Sequence, residues 1–182
     1  TTLASIDEEG VRAIDADMMA LTLEIALEIL FGATAEKDMD TLATAFRDVN
    51  AWFASASEVL LKLPLWVPTP SNLAFRKGMD RMEEVVSRII DERRAAATPG
   101  SDLLGRLMTP TDGSAMPDAL LRDEIRTLLL AGHETTALGL TYACWLIAAH
   151  PDLQQELYEE VCATAPDGPI QGRDVSKLTL VQ

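Results

Sequence analysis

From Pro117 to His150 the chain carries no second proline and no alternating strand pattern, so this stretch reads as one long helix. Pro117-Asp118 opens it with proline at the first turn, and Pro151 forces a restart. At 1.5 Å per residue the helix is roughly 45–50 Å long. A helix of that length has to run through the middle of a large domain. Its longest apolar stretch, Leu128 to Ala149, is interrupted by His133 and Glu134. A lipid-exposed helix rarely carries such a pair, so the expectation is a buried helix rather than a membrane span.

The rest of the pattern is also helical. Residues 15–31 form a strongly apolar helix with a narrow acidic stripe of Asp17, Glu24 and Glu28, closed by Gly32. A second helix is expected over about 37–61, with Ala54-Ser55-Ala56-Ser57 as the point where it can break. Three prolines bar helix from Pro64 to Pro70 and leave a stiff loop bearing Trp66. A third helix follows from Ser71 or Asn72 to Ala97, with Phe75, Met79, Met82, Val86, Ile89 and Ile90 at helical spacing. Its other face reads as solvated and places Glu84 four residues before Arg88, the favourable order for an ion pair. Residues 101–108 form a short helix capped by Ser101 or Asp102, and 151–164 a further one. No strand and no repeat is read, so the fold class is all-α with about six helices.

Charge and cysteine content narrow the function classes. Against 29 Asp and Glu stand 15 Lys and Arg, a net charge of −14 in 182 residues. That balance argues against a nucleic-acid partner and against docking on an anionic membrane. Cys144 and Cys162 make no metal-ligand spacing and are expected as small core fillers. Residue 1 is Thr, no signal-peptide pattern follows, and Leu178 to Gln182 carries no helix stop. Both ends read as cut. A cytoplasmic location is expected.

The chemistry lies in the middle of the long helix, at Ala131-Gly132-His133-Glu134-Thr135-Thr136. A charge within an apolar helix costs several kcal/mol unless it is paired or used. Gly132 costs nearly 1 kcal/mol relative to alanine in a helix interior. Two adjacent threonines can bond back to the preceding turn and bend the helix. Several local rules are broken together, as functional sites tend to break them. A zinc site of the HExxH type is rejected, because position 137 is Ala; His133 alone reads as a satisfied polar residue.

This run resembles the distal-helix motif [A/G]Gx[D/E]T[T/S] of the cytochromes P450, the haem-thiolate monooxygenases. Leu121-Arg122-Asp123-Glu124 upstream and His150-Pro151-Asp152-Leu153-Gln154 downstream resemble the same family, as do Asp102-Leu103-Leu104 and Pro68 to Asn72 with Phe75-Arg76. Nearly the whole chain can be laid on the family's central region. The resemblance implies one partial domain over 1–182. It would hold a core helix at about 15–31, substrate-roof helices at about 37–97, a short helix at 101–108, the long distal helix at 117–150 and a following helix at 151–164.

The resemblance also implies roles. Ala131, Gly132, Thr135 and Thr136 would lie against heme b. Thr135 would hydrogen-bond dioxygen, and Glu134 would relay protons inward. The reaction would insert one oxygen atom from O2 into an apolar organic substrate, with electrons from a ferredoxin or a flavin reductase. The lining of the pocket would include Trp52, Phe53, Trp66 and parts of 124–136. The family's ligand cysteine loop and its ExxR helix have no counterpart here, so the chain reads as an internal fragment, with no metal ligand of its own, that is expected to be inactive alone. The alternative is a non-enzymatic α-helical ligand-binding module, which gives no reason for the acid–threonine pair. A terpene-cyclase-like enzyme would want clustered acids, whereas Asp15 and Asp17, or Glu83 and Glu84, read as ordinary helix-start or surface acids.

Overall fold

The computed structural model describes residues 13–32, 37–58 (side chains to 53), 63–96, 100–109, 116–166 and 168–180. Its helices are α1 (Ile14–Phe31), α2 (Met39–Glu58), α3 (Pro70–Ala95), α4 (Leu103–Met108), α5 (Asp118–Ala149) and α6 (Pro151–Thr164). There is no strand among the described residues, so the fold is all-α as the periodicity required. The chain divides into two compact units, 1–137 and 138–182, and α5 begins in the first and ends in the second.

In the first unit the core is drawn from one face of each helix. Leu23, Leu27, Leu30 and Phe31 of α1 meet Leu42, Ala45, Phe46 and Val49 of α2, and Met82, Val86, Ile89 and Ile90 of α3 join the same cluster with Leu104 of α4 and Leu121, Ile125 and Leu129 of α5. Each set repeats at helical spacing, which is why the apolar pattern forms helices here. The outer side of α1 leaves Ile25 and Ile29 exposed. Gly32 takes φ +62° and donates its N–H to Glu28 O, ending α1 where the sequence placed a stop. Helix α2 runs unbroken through Ser55 and Ser57 to Glu58, because its backbone ladder tolerates serine.

Two sequence expectations are corrected on α3. Pro70 is helical: it is the first residue of α3, where a missing N–H costs nothing, and the Thr69 hydroxyl caps the start by accepting from Asn72 N at 3.1 Å. Arg88 does not pair with Glu84. It reaches forward to Glu92 at 2.7 Å and across to Asp38, while Arg81 binds Asp48 at 3.0 Å. These cations therefore tie α3 to the residue just before α2 and to the middle of α2, and that face is more than solvated surface.

Arg93 builds the tightest polar node. Its guanidinium holds both Asp102 oxygens, at 2.8 and 2.6 Å, and donates to Phe31 O at 3.1 Å. The two side chains are only 10% and 12% exposed. Asp102 also caps α4 by accepting Gly105 N at 2.8 Å. Burial pushes the Asp102 carboxyl up, but Arg93 and the Gly105 N–H outweigh it and hold the acid below its usual range. One ion pair thus joins the ends of α1, α3 and α4.

Within the first unit α5 buries a single row, Leu121, Ile125, Leu129, His133 and Ala137. This four-residue repeat is the ridge that a crossing helix accepts in its groove. The sequence implies a buried helix through the middle of a large domain; within the first unit the described residues cover this row.

In the second unit α6 buries no residue, and Trp145, Leu146 and Tyr158 stand exposed. Cys162 is exposed on α6 and Cys144 half-buried on α5, so Cys162 is not the core filler expected. The Glu160 carboxylate holds residues 179 and 180: it accepts from Thr179 N at 2.6 Å, Thr179 Oγ1 at 2.8 Å and Leu180 N at 3.0 Å. No described helix is long and apolar enough to cross a membrane.

Candidate active site

The central turn of α5 sorts its residues by rotation of about 100° per position. Leu129, His133 and Ala137 point into the first unit and are buried. Ala131, Gly132, Thr135 and Thr136 are exposed together on another side. Glu134 lies between these directions and is half-buried.

His133 fixes the rotation. Its ring sits 4.0 Å from that of Phe46 on α2, and Nδ1 donates to Leu129 O at 3.1 Å. Burial pushes the imidazole below its ordinary value, against the opposing pull of the Leu129 carbonyl and Glu134. It is a neutral, satisfied core histidine, as the sequence implied.

Glu134 faces a cleft of about 590 Å³ between α1, α2 and α5. Asp15, Arg47 and Asn50 supply its other polar groups, and Met19, Leu23 and Phe46 much of its apolar wall. Sequence reading took Asp15 for an ordinary helix-start acid and gave Arg47 no role. Only the packing of α1 and α2 beside α5 brings them to the same cleft, and no local pattern encodes that.

The exposed side is small and uncovered. A methyl group built on Gly132 would meet nothing within 4 Å. Packing among the described residues therefore gives no reason for a glycine that weakens the helix by about 1 kcal/mol. Thr135 Oγ1 donates to Ala131 O and Thr136 Oγ1 to Gly132 O, each at 2.9 Å. These are the back-bonds expected from sequence, and they leave the oxygen lone pairs free to accept. The arrangement sets an acid on the cleft one residue before a hydroxyl on an open face.

The aromatic residues expected to line the substrate pocket stand apart from the Glu134 cleft. Trp52, Phe53 and Phe75 form a cluster with ring separations of 4.7–6.0 Å, and Trp52 Nε1 donates to Asn72 Oδ1 at 2.8 Å. None of them borders the Glu134 cleft, and Trp66 is exposed on its loop. Among the described residues no three His, Cys, Asp or Glu side chains gather as metal ligands.

Comparison with known proteins adds an independent line. The family model described as Cytochrome P450 matches residues 4–182. Cyclooctat-9-en-7-ol 5-monooxygenase of Streptomyces melanosporofaciens is 29% identical over 79% of the chain and 32% of its own length. Eburicol 14-alpha-demethylase of Uncinula necator is 28% identical over 96% of the chain and 34% of its own length. The crystal structure of the cytochrome P450DA heme domain superposes with a TM-score of 0.78 at 26% identity, covering 99% of the chain and 40% of that domain. The chain thus spans about a third of the length of these curated relatives.

Proposed function

The chain belongs to the cytochrome P450 family, and from that premise we propose that it is the distal-helix region of a haem-dependent monooxygenase that inserts one oxygen atom from O2 into an apolar organic substrate. The observation that carries this reading is the division of labour at one turn of α5. Glu134 borders the solvated cleft, and Thr135 stands on the small-residue side.

Ala131, Gly132, Thr135 and Thr136 fit the distal side of heme b, because all four are exposed together and Gly132 leaves room above the backbone. When bound, the haem supplies the redox chemistry of oxygen activation. The protein's own part is proton supply and shape. Glu134 takes protons from water in the cleft and passes them toward Thr135. The Thr135 hydroxyl rotates off Ala131 O to donate toward the open face and takes up the next proton on its oxygen. His133, held neutral by burial, keeps the phase of the helix so that these two residues stay on their separate sides. Cys144 and Cys162 both lie within helices, on α5 and α6; in the proposed reading neither is the iron ligand, which is supplied from outside residues 1–182. A ferredoxin or a flavin reductase supplies the electrons.

The test is made in the haem-loaded enzyme that contains this chain. Thr135→Ala keeps oxygen consumption and diverts most of it to hydrogen peroxide. Glu134→Gln slows oxygen consumption by on the order of 100-fold and raises the solvent isotope effect. Wild-type coupling and rate in both variants would remove Glu134 and Thr135 from the reaction.

A further inference from the structure

We propose that the cleft between α1, α2 and α5 is a binding site for an apolar organic cation, an ammonium group carried on a hydrocarbon body. The cleft measures about 590 Å³, within the range of pockets that hold small molecules. Alanine on both facing helices helps to keep it open. Ala16 and Ala20 stand about one turn apart on α1, and Ala43 and Ala51 about two turns apart on α2. Met19, Leu23 and Phe46 supply the wall on which a hydrocarbon body is buried.

The polar groups of the cleft are uncommitted. Among the described residues no hydrogen bond or ion pair engages the side chains of Asp15, Arg47, Asn50 or Glu134. Other arginines of this unit are spent on carboxylates, Arg81 on Asp48, Arg88 on Asp38 and Arg93 on Asp102. Glu134 is half-buried, so its carboxylate loses part of its water and gains no partner in return. A cation that reaches it is bound by that deficit.

The sign of the ligand follows from the charges that face the cleft. Asp15 and Arg47 are both exposed and offset one another. His133 adds no charge, because burial keeps its ring neutral and Nδ1 is spent on Leu129 O. Two acids against one arginine leave a single negative charge, and Glu134 is the less exposed of the acids. A monocation completes the balance, whereas an anion would sit beside Glu134 unpaired. The net charge of −14 also concentrates cations around the chain. A cation seated here lies on the carboxylate proposed to supply protons and displaces water from the cleft, so occupancy slows oxygen consumption. Only this consequence rests on the proton-supply role of Glu134; the site does not.

The experiment is calorimetric titration of the haem-loaded enzyme containing this chain with phenylbutyltrimethylammonium, whose nitrogen has no lone pair to offer iron. The expected result is saturable binding, with phenylpentanoate, an anion of similar body, bound at least about tenfold more weakly. Glu134→Gln weakens binding of the cation about tenfold. Arg47→Ala leaves it equal or tighter, because that guanidinium competes for the same carboxylate. Ala20→Leu with Ala51→Leu fills the cleft from two exposed, helix-compatible positions and weakens binding at least about tenfold, with unchanged far-UV circular dichroism. No binding by the wild type, tighter binding of the anion, loss of binding in Arg47→Ala, or full binding in either Glu134→Gln or the filled cleft overturns the proposal. Binding that leaves oxygen consumption unchanged upholds the site and removes Glu134 from proton supply.

Discussion

His133 shows how one buried side chain can set both geometry and pH response. Its ring is wedged on Phe46, its Nδ1 is spent on Leu129 O, and burial holds it below its ordinary value near 6.5. Unfolding returns the imidazole to water, where it regains that ordinary value. Below about pH 6.5 the unfolded chain therefore binds a proton that the folded chain refuses. Stability from this site is complete above that pH and declines as pH falls toward the lowered folded value. The urea midpoint should drop between about pH 7.5 and 5.5, and His133→Leu should flatten that drop. Carboxylates held low by partners, such as Asp102, titrate below this window. An equal drop in His133→Leu would place the titration elsewhere. His133 as a satisfied polar residue was legible from its apolar neighbours. Arg93 was not, because its partners Phe31 and Asp102 come from other elements, and only folding brings them together.

Among the elements, the α2–α3 pair depends on a close approach. Gly78 lies buried in the middle of α3, and a methyl group there would stand 2.8 Å from Ala45 O and 3.1 Å from Val49 Cγ2 on α2. Alanine is the better helix former by about 1 kcal/mol, so an unhindered Gly78→Ala would stabilise. Against a backbone oxygen it must push the helices apart, at a cost of about 1–3 kcal/mol. We expect a net loss of about 1 kcal/mol, read as a lower thermal midpoint. A raised midpoint would mean that the two helices are not seated so closely. Helix positions were readable from apolar spacing and from Gly and Pro punctuation. Helix ends were less so: an N1 proline such as Pro70 differs from a disruptive one only by its place relative to the cap at Thr69, which folding defines. The clasp of Arg81 and Arg88 on α2 was also hidden, since a charged stripe reads the same whether it faces water or a neighbouring helix.

For the whole molecule, the all-α class and the central turn of α5 were legible because the turn violates helix rules within six consecutive residues. The extent of burial was not. A helix of this length implied a course through the middle of a large domain, yet within the first unit α5 buries one row, and its small-residue side is open. That open side carries the central claim of the proposed function: nothing among the described residues packs against Gly132, and its small size is proposed to leave room for haem and its ligand. The most direct test is carbon monoxide binding to the reduced, haem-loaded enzyme containing this chain, with Gly132 or with leucine in its place. The wild type should give the long-wavelength Soret band of thiolate-ligated haem. Gly132→Leu should keep its helix content and its haem while binding carbon monoxide at least about tenfold more weakly, because the new side chain occupies the ligand's space. Carbon monoxide affinity equal to that of the wild type would mean that Gly132 does not face the haem, and the assignment of the open side of α5 would fail.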